Sequence, residues 1–249
     1  MTTSEPRQTE RDRLLSELKA RVELEKWFGA DLYPVRAAGR SQDPDQEVAA
    51  IVDETAADKQ ARLDELFESM KDCHSCPLAE SRNRLVFGEG NPDARLVFVG
   101  EAPGREEDRQ GRPFVGRAGR LLTKMIHAMG LEREDVYIGN ILKCRPPENR
   151  TPTLPEMATC MPYIVQQIEI IEPEVICALG ATALKGLLRD PKASIGRLRG
   201  RFTDWRGTKL MPTYHPAYLL RSPDQKRKAW EDLQAIMAEL GLPVPEQGA

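Results

Sequence analysis

The sequence predicts an α/β domain: a central, mainly parallel four-stranded sheet flanked by helices, preceded by a helical N-terminal extension. Three observations carry that prediction. From residue 95 onward, short apolar runs alternate with helix-length segments. The runs end at Gly, Asn or a Pro-containing turn, as strands do where they meet loops. A chain of 249 residues, 40% hydrophobic and 30% charged, is also long enough for one good-sized domain with an appendage.

Residues 95–100 (RLVFVG) read as the first strand and 135–140 (DVYIGN) as the second. Residues 174–179 form the third and 209–214 the fourth. Helices are expected at 117–129, at 152–171 with proline near its start, after Gly180, and at 223–240. Strands that alternate with helices pair in parallel, and ligands of such sheets bind beyond the strands' carboxyl ends. Upstream, Leu14, Leu15, Leu18, Val22 and Leu24 recur at helical spacing. Residues 34–48 contain Pro, Gly, Ser and Asp without periodicity and read as a linker. Residues 56–72 read as a helix that delivers the chain to Cys73. The expected division is an extension over 1–65, with no function assigned, and the main domain over 66–242.

No apolar run approaches the roughly 18 residues that a membrane span needs, and the N-terminus has no segment of signal-peptide type. A cytoplasmic protein with reduced thiols and no membrane partner is expected. Net charge is −3 but unevenly spread. Residues 1–72 carry 17 Asp/Glu against 11 Lys/Arg, whereas 189–228 carry 11 Lys/Arg against three Asp. A basic C-terminal half suggests a polyanion partner, although a solvated Arg-rich surface would look the same.

Four of the five cysteines fall into two groups: Cys73 and Cys76 in a Cys-x-x-Cys, then Cys144 and Cys160. That layout reads as one four-thiolate metal site, zinc or iron–sulfur, tying distant parts of the chain together. Cys177, within VICAL, reads as a small buried hydrophobe.

The residues after the strands carry the chemistry. Gly100-Glu101-Ala102-Pro103-Gly104 sets one carboxylate in a glycine-bracketed turn, where backbone can approach a ligand. An ordinary strand-to-loop turn has the same composition. Phe114, between Pro113 and Val115 in a loop that ends at Gly116, can stack on a nucleobase or simply pack beneath its loop. Asn140 ends the second strand and offers a donor and an acceptor from one amide, which suits an imide edge or an Asx turn. His215, held by Pro216, can donate to a developing oxyanion or act as general acid or base. Leu219, Leu220 and Arg221 follow as a candidate wedge for a base stack, or as core leucines beside a helix end.

Taken together, Gly100–Gly104, Gly111-Arg-Pro-Phe-Val-Gly116, Asn140 within IGNILKCRPP, and His215-Pro-Ala-Tyr-Leu-Leu-Arg221 resemble the iron–sulfur (family-4) uracil-DNA glycosylases. The resemblance spans about residues 70–240 and includes the four cysteines in order. It implies a uracil-DNA glycosylase fold and a monofunctional repair enzyme that removes uracil and leaves an abasic site. It implies that Phe114 stacks on the flipped base and Asn140 reads its polar edge. It further implies that His215 stabilises the departing uracil and that Glu101 orients water or supports the sugar cation. Gly100 and Ala102 would contact the base, and Glu107 would help exclude thymine. Leu219, Leu220 and Arg221 would enter the DNA. Cys73, Cys76, Cys144 and Cys160 would hold a [4Fe–4S] cluster, with zinc as the alternative. Ala102 stands where a covalently trapping branch carries Gln, so turnover is implied. Single- and double-stranded uracil DNA are the expected substrates, and the protein is expected to act as a monomer.

The residues also fit a non-catalytic DNA-binding protein with a structural metal. A zinc hydrolase fits poorly: only His74, His127 and His215 exist, with no His-x-x-x-His pair.

Overall fold

The computed structural model describes residues 55–244, and the helix expected around residues 8–28 lies outside them. Six strands make one sheet among the described residues: β1 (Glu89–Gly90), β2 (Leu96–Gly100), β3 (Tyr137–Asn140), β4 (Val175–Leu179), β5 (Thr203–Trp205) and β6 (Thr208–Thr213). Their order is β1-β3-β2-β4-β6-β5. The central four, β3-β2-β4-β6, are parallel and are the four strands that the sequence predicts. The two edge strands are additions, both antiparallel. They are two and three residues long, too short to leave a period-2 signal.

Every residue of β2, β3 and β4 is buried, which is why these strands read as unbroken apolar runs. Register places Gly100 beside Asn140, and Leu179 beside Thr213. The ends of all four parallel strands therefore share one edge. Pro212 is tolerated in β6 because β5 pairs only as far as Leu210, so no neighbour on that side needs its missing N–H.

Helices cover both faces. On one lie α4 (Arg117–Ala128) and α9 (Lys226–Glu239). Leu122, Met125 and Ile126 of α4, and Leu233, Ile236 and Met237 of α9, join Phe98, Ile138, Cys177 and Met211 in one core. The other face meets α5 (Leu154–Ile171), whose Ile164 closes on Gly139 of β3. Thr153 and Glu156 close a capping box at its start. Ahead of the sheet runs α1 (Ala56–Met70), with Lys59, Leu63, Leu66 and Met70 buried at helical spacing. Buried Lys59 donates to Asp93 (2.7 Å) and to the Ile171 carbonyl (3.0 Å), fastening α1 to the end of α5. This is the helix expected over 56–72. The shorter helices among the described residues are α2 (Leu78–Ser81), α3 (Arg105–Gln110), α6 (Ala181–Leu188), α7 (Ile195–Leu198) and α8 (Pro216–Arg221).

Candidate active site and cysteine cluster

Four of the predicted residues converge at the carboxyl edge of the sheet. Gly100 ends β2 and lies against both Asn140 and Phe114. A Cβ built on it would collide with Asn140 Oδ1 and stand 2.5 Å from Phe114 Cζ, so only glycine allows that convergence. Asn140 is 2% exposed, and its Oδ1 is buried without a hydrogen-bond partner. A buried acceptor left unpaired costs about 1–3 kcal/mol, so it marks a place where a ligand donor belongs.

The Phe114 ring faces His215, with centroids 5.6 Å apart and planes inclined by 34°. Its backbone sits in the left-handed region, φ 51°, which costs a non-glycine residue about 1–2 kcal/mol. Gly119 permits the local geometry, since a side chain there would run into the Phe114 carbonyl.

His215 is the N-cap of α8, and its Nδ1 accepts the Ala217 N–H at 3.1 Å. That bond fixes the tautomer: the proton lies on Nε2, the nitrogen left free to donate. Burial, and then the Arg221 charge, push the pKa of His215 down to about 4. The imidazole is therefore neutral at pH 7. Gly180, at φ +89°, backs it closely, since a Cβ there would stand 2.9 Å from His215 Cβ.

Glu101 and Ala102 are half-buried in the turn after β2. The Gly100 and Glu101 carbonyls accept Ile141 N–H and Leu142 N–H, both at 3.0 Å, lacing this turn to the loop after β3. Glu107 on α3 accepts the Val115 N–H (2.9 Å) and the Gly116 N–H (2.8 Å), beneath the Phe114 loop.

Of the expected wedge, Leu220 is 37% exposed and Arg221 is exposed. Leu219 is not brought to the surface. It is 1% exposed and belongs to the core with Phe114 and Leu122, because α8 presents a buried side at that position. Tyr218, at 37% exposed, stands beside Leu220 instead. The basic segment is also less free than its count suggests. Arg199 is bound to buried Asp232 (2.6 Å), Arg206 to Glu169 (2.5 Å) and Lys209 to Glu239 (2.5 Å).

The four cysteines line a single cavity with Met70, Arg82, Lys143 and Tyr163. Cys73 and Cys76 come from the turn before α2, Cys144 from the loop after β3 and Cys160 from α5. Their thiols are free. No three His, Cys, Asp or Glu side chains among the described residues stand close enough to hold one metal ion. Hydrogen bonds reach three of the sulfurs. Arg82 Nη1 donates to Cys144 Sγ (3.4 Å), Lys143 N–H to Cys160 Sγ (3.3 Å), and Ser75 Oγ lies 3.4 Å from Cys73 Sγ. Burial pushes the Cys160 thiol up to about 12, so a thiolate there needs positive charge beside it, as a metal supplies. Cys177 is the fully buried core residue expected.

Several contributors to the site carry no sequence signal. Gly180 is visible in the sequence only as a helix opener. Arg82 and Lys143 flank the cysteines, but arginine and lysine near a Cys-x-x-Cys are too common to single out. Arg133 and Glu89, which reach the Phe114 loop, lie 19 and 25 residues from Phe114 in the chain.

Comparison with known proteins agrees with this geometry. The family model described as the uracil DNA glycosylase superfamily matches residues 87–234. A type-4 uracil-DNA glycosylase of Thermotoga maritima is 55% identical over 170 residues, covering 67% of this chain and 88% of that protein. Type-4 enzymes of Saccharolobus solfataricus and Archaeoglobus fulgidus are each 43% identical, over 72% and 70% of this chain and 86% and 91% of theirs. With the strand-end residues converging as they do, the chain belongs to the type-4 branch of the uracil-DNA glycosylase superfamily.

Proposed function

We propose that this chain is a monofunctional uracil-DNA glycosylase of base-excision repair, which rotates deoxyuridine out of DNA and hydrolyses its N-glycosidic bond. The observation that carries the reading is the buried, partnerless amide oxygen of Asn140, beside Phe114 and a neutral His215. A flipped uracil stacked on Phe114 offers the imide N3–H that Asn140 Oδ1 lacks, and its O4 takes the Asn140 amide N–H. Cytosine has the opposite pattern at that edge and would leave the buried amide unpaired, so it is rejected.

As the bond from uracil N1 to the sugar breaks, its electron pair passes to the base. His215 Nε2–H donates to uracil O2 and stabilises that anion; a neutral donor suffices because the charge develops only as the bond stretches. Glu101 orients the water that forms the new bond to the sugar carbon and offsets the sugar's positive charge, and the proton that the water gives up passes through solvent to neutralise the uracil anion. The backbone of Gly100 and Ala102 borders the base. Glu107, fixed under the Phe114 loop, closes the side where the thymine methyl would lie. Leu220 and Arg221, with Tyr218, enter the space that the base vacates. Single- and double-stranded uracil DNA are both substrates, and the exposed lysines and arginines hold phosphates.

Cys73, Cys76, Cys144 and Cys160 are assigned to a [4Fe–4S] cluster. Zinc draws its thiolates to about 2.3 Å from one ion, whereas a cluster accepts each at a separate iron; four cysteines around one cavity, with no single-ion grouping, suit the cluster. When bound it supplies a rigid, charged cross-link and takes no part in the hydrolysis.

Purified protein should make alkali-labile abasic sites in uracil oligonucleotides without added cofactor, read on denaturing gels. Intact uracil strands after prolonged incubation would remove the proposal. Asn140→Ala should lower kcat/KM by about 10²–10³-fold, the usual loss for a transition-state hydrogen bond. It should not lower Tm, since it removes an unpaired buried acceptor. DNA binding without base release would favour the non-catalytic reading.

A further inference from the structure

We propose that Arg133 is a positioning residue for catalysis, holding the stacking ring of Phe114 in its left-handed backbone conformation; the inference rests on the glycosylase reading for its kinetic consequence. Phe114 is the residue of this site whose backbone lies where bulky side chains rarely go. Something must hold it there, and the contacts show what does. A single guanidinium grips two consecutive carbonyls: Arg133 Nη2 donates to Pro113 O (3.0 Å) and Nη1 to Phe114 O (3.3 Å). The next two amides, Val115 and Gly116, are held from the other side by Glu107. The three successive peptide groups of the turn are thus all bound, the first by Arg133, the last by Glu107, and the one between Phe114 and Val115 by both, through its C=O and its N–H.

Arg133 is itself fixed. Its side chain is only 16% exposed, in the 3-10 turn that leads into β3. Nη1 also meets Thr123 Oγ1 of α4 (3.3 Å), and Nη2 is paired with Glu89 Oε1 (2.5 Å). Glu89 lies on edge strand β1, and its other oxygen accepts Arg112 Nε (2.7 Å). Arg112 directly precedes Pro113, so Glu89 ties the start of the loop to the arginine that grips its middle. Burial raises the Glu89 carboxyl, but the hydrogen bonds and charges of Arg112 and Arg133 overcome this and leave its pKa lowered. The anion that anchors the network is therefore stable. The short strand β1 thereby serves the site, since it carries the carboxylate that orients Arg133.

Only arginine has the planar fork to reach two carbonyls, a hydroxyl and a carboxylate together. Lysine keeps the charge and loses the geometry. The bonds of Arg133 go to the Phe114 loop, Thr123 and Glu89, so its effect passes through the ring of Phe114. A stacking ring displaced by about 1 Å costs about 10²-fold in rate.

The test is Arg133→Lys in the full chain, with Phe114→Ala and the double variant. Arg133→Lys should lower kcat/KM on uracil DNA by about 10–100-fold. It should weaken inhibition by free uracil while affinity for uracil-free DNA stays unchanged. In the Phe114→Ala background the same substitution should have no further effect, because the group it positions is gone. Fluorine NMR of 4-fluorophenylalanine at Phe114 should show one narrow line in the parent and a broadened or split one in Arg133→Lys. This readout needs no catalysis. Should Arg133→Lys fail to fold, Glu89→Gln is read in its place and should change the fluorine line and kcat/KM in the same direction. Parent-like uracil inhibition and fluorine line, or full additivity with Phe114→Ala, would overturn the proposal. An unsubstituted protein that releases no uracil would sink the glycosylase reading instead, and the fluorine spectrum would still decide the role of Arg133.

Discussion

His215 shows how one residue's protonation state is decided by its neighbours. Its Nδ1 caps α8, its ring is half-buried among the strand-end residues and Arg221 stands near, so the neutral form with Nε2–H is the one present. The folded pKa, about 4, lies below the ordinary 6.5. Between those values the unfolded chain binds the proton and the folded one does not. Stability therefore rises with pH across that window and is lost as pH falls from 6.5 toward 4. Excision should show no inflection near 6.5 and should fail only as pH approaches 4, where protonated Nδ1 can no longer accept the Ala217 N–H. A kcat profile between pH 4 and 8 checks this; a step near 6.5 that His215→Gln abolishes would contradict it. Asn140, Phe114 and His215 were each legible in the sequence, Asn140 and His215 as polar residues at the ends of apolar runs and Phe114 as an aromatic in a loop bounded by Pro and Gly. The tautomer, the unpaired oxygen and the left-handed φ of Phe114 were not, because each depends on atoms from other strands.

Among the elements, the loops and caps after the parallel strands carry the site, and their glycines are specific requirements. Gly180 follows β4 at φ +89° and sits behind the His215 ring. Gly180→Ala should destabilise by more than about 1 kcal/mol, since alanine is strained at positive φ. Because the new Cβ would push against His215, kcat should fall as well, measured beside Tm in chemical or thermal unfolding. Parent-like kcat in the folded variant would mean that the histidine is not braced from behind. The sequence placed α4 and α5 close to their true ends, α5 because a proline near its start announces it, whereas the six-residue α8 was not among the expected helices. Leu219 escaped correct placement with it. A six-residue helix is too short for its buried side to be read from periodicity, and only the packed core assigns it.

Across the whole molecule, the cysteine cavity joins three separate stretches: the turn before α2, the loop after β3 and helix α5. The loop after β3 follows Asn140 directly, so a cluster bound by these cysteines, as proposed, would brace the site from a distance. Cys160→Ala should lose the brown colour expected of a [4Fe–4S] protein, lower Tm and weaken DNA binding before it affects the bond-breaking step in bound complexes. Visible absorption, melting curves and single-turnover rates separate these effects; a variant that melts like the parent without cluster would refute the bracing role. No helix among the described residues is long and apolar enough to cross a membrane.

By itself the sequence determined the parallel four-stranded core, the strand-end location of Glu101, Asn140 and His215, the loop position of Phe114, and the set of four cysteines. Each is written in local pattern: apolar runs, helix caps, and residue types at fixed spacing. The tertiary structure alone decided which side chains face one another, which oxygen is left unpaired, and which charges are already matched. It added the two edge strands, moved Leu219 into the core, bound Arg199 to Asp232 and brought Glu89 and Arg133 to the Phe114 loop. Those facts depend on contacts between residues far apart in the chain, and burial and pairing energies act on that proximity and not on sequence order.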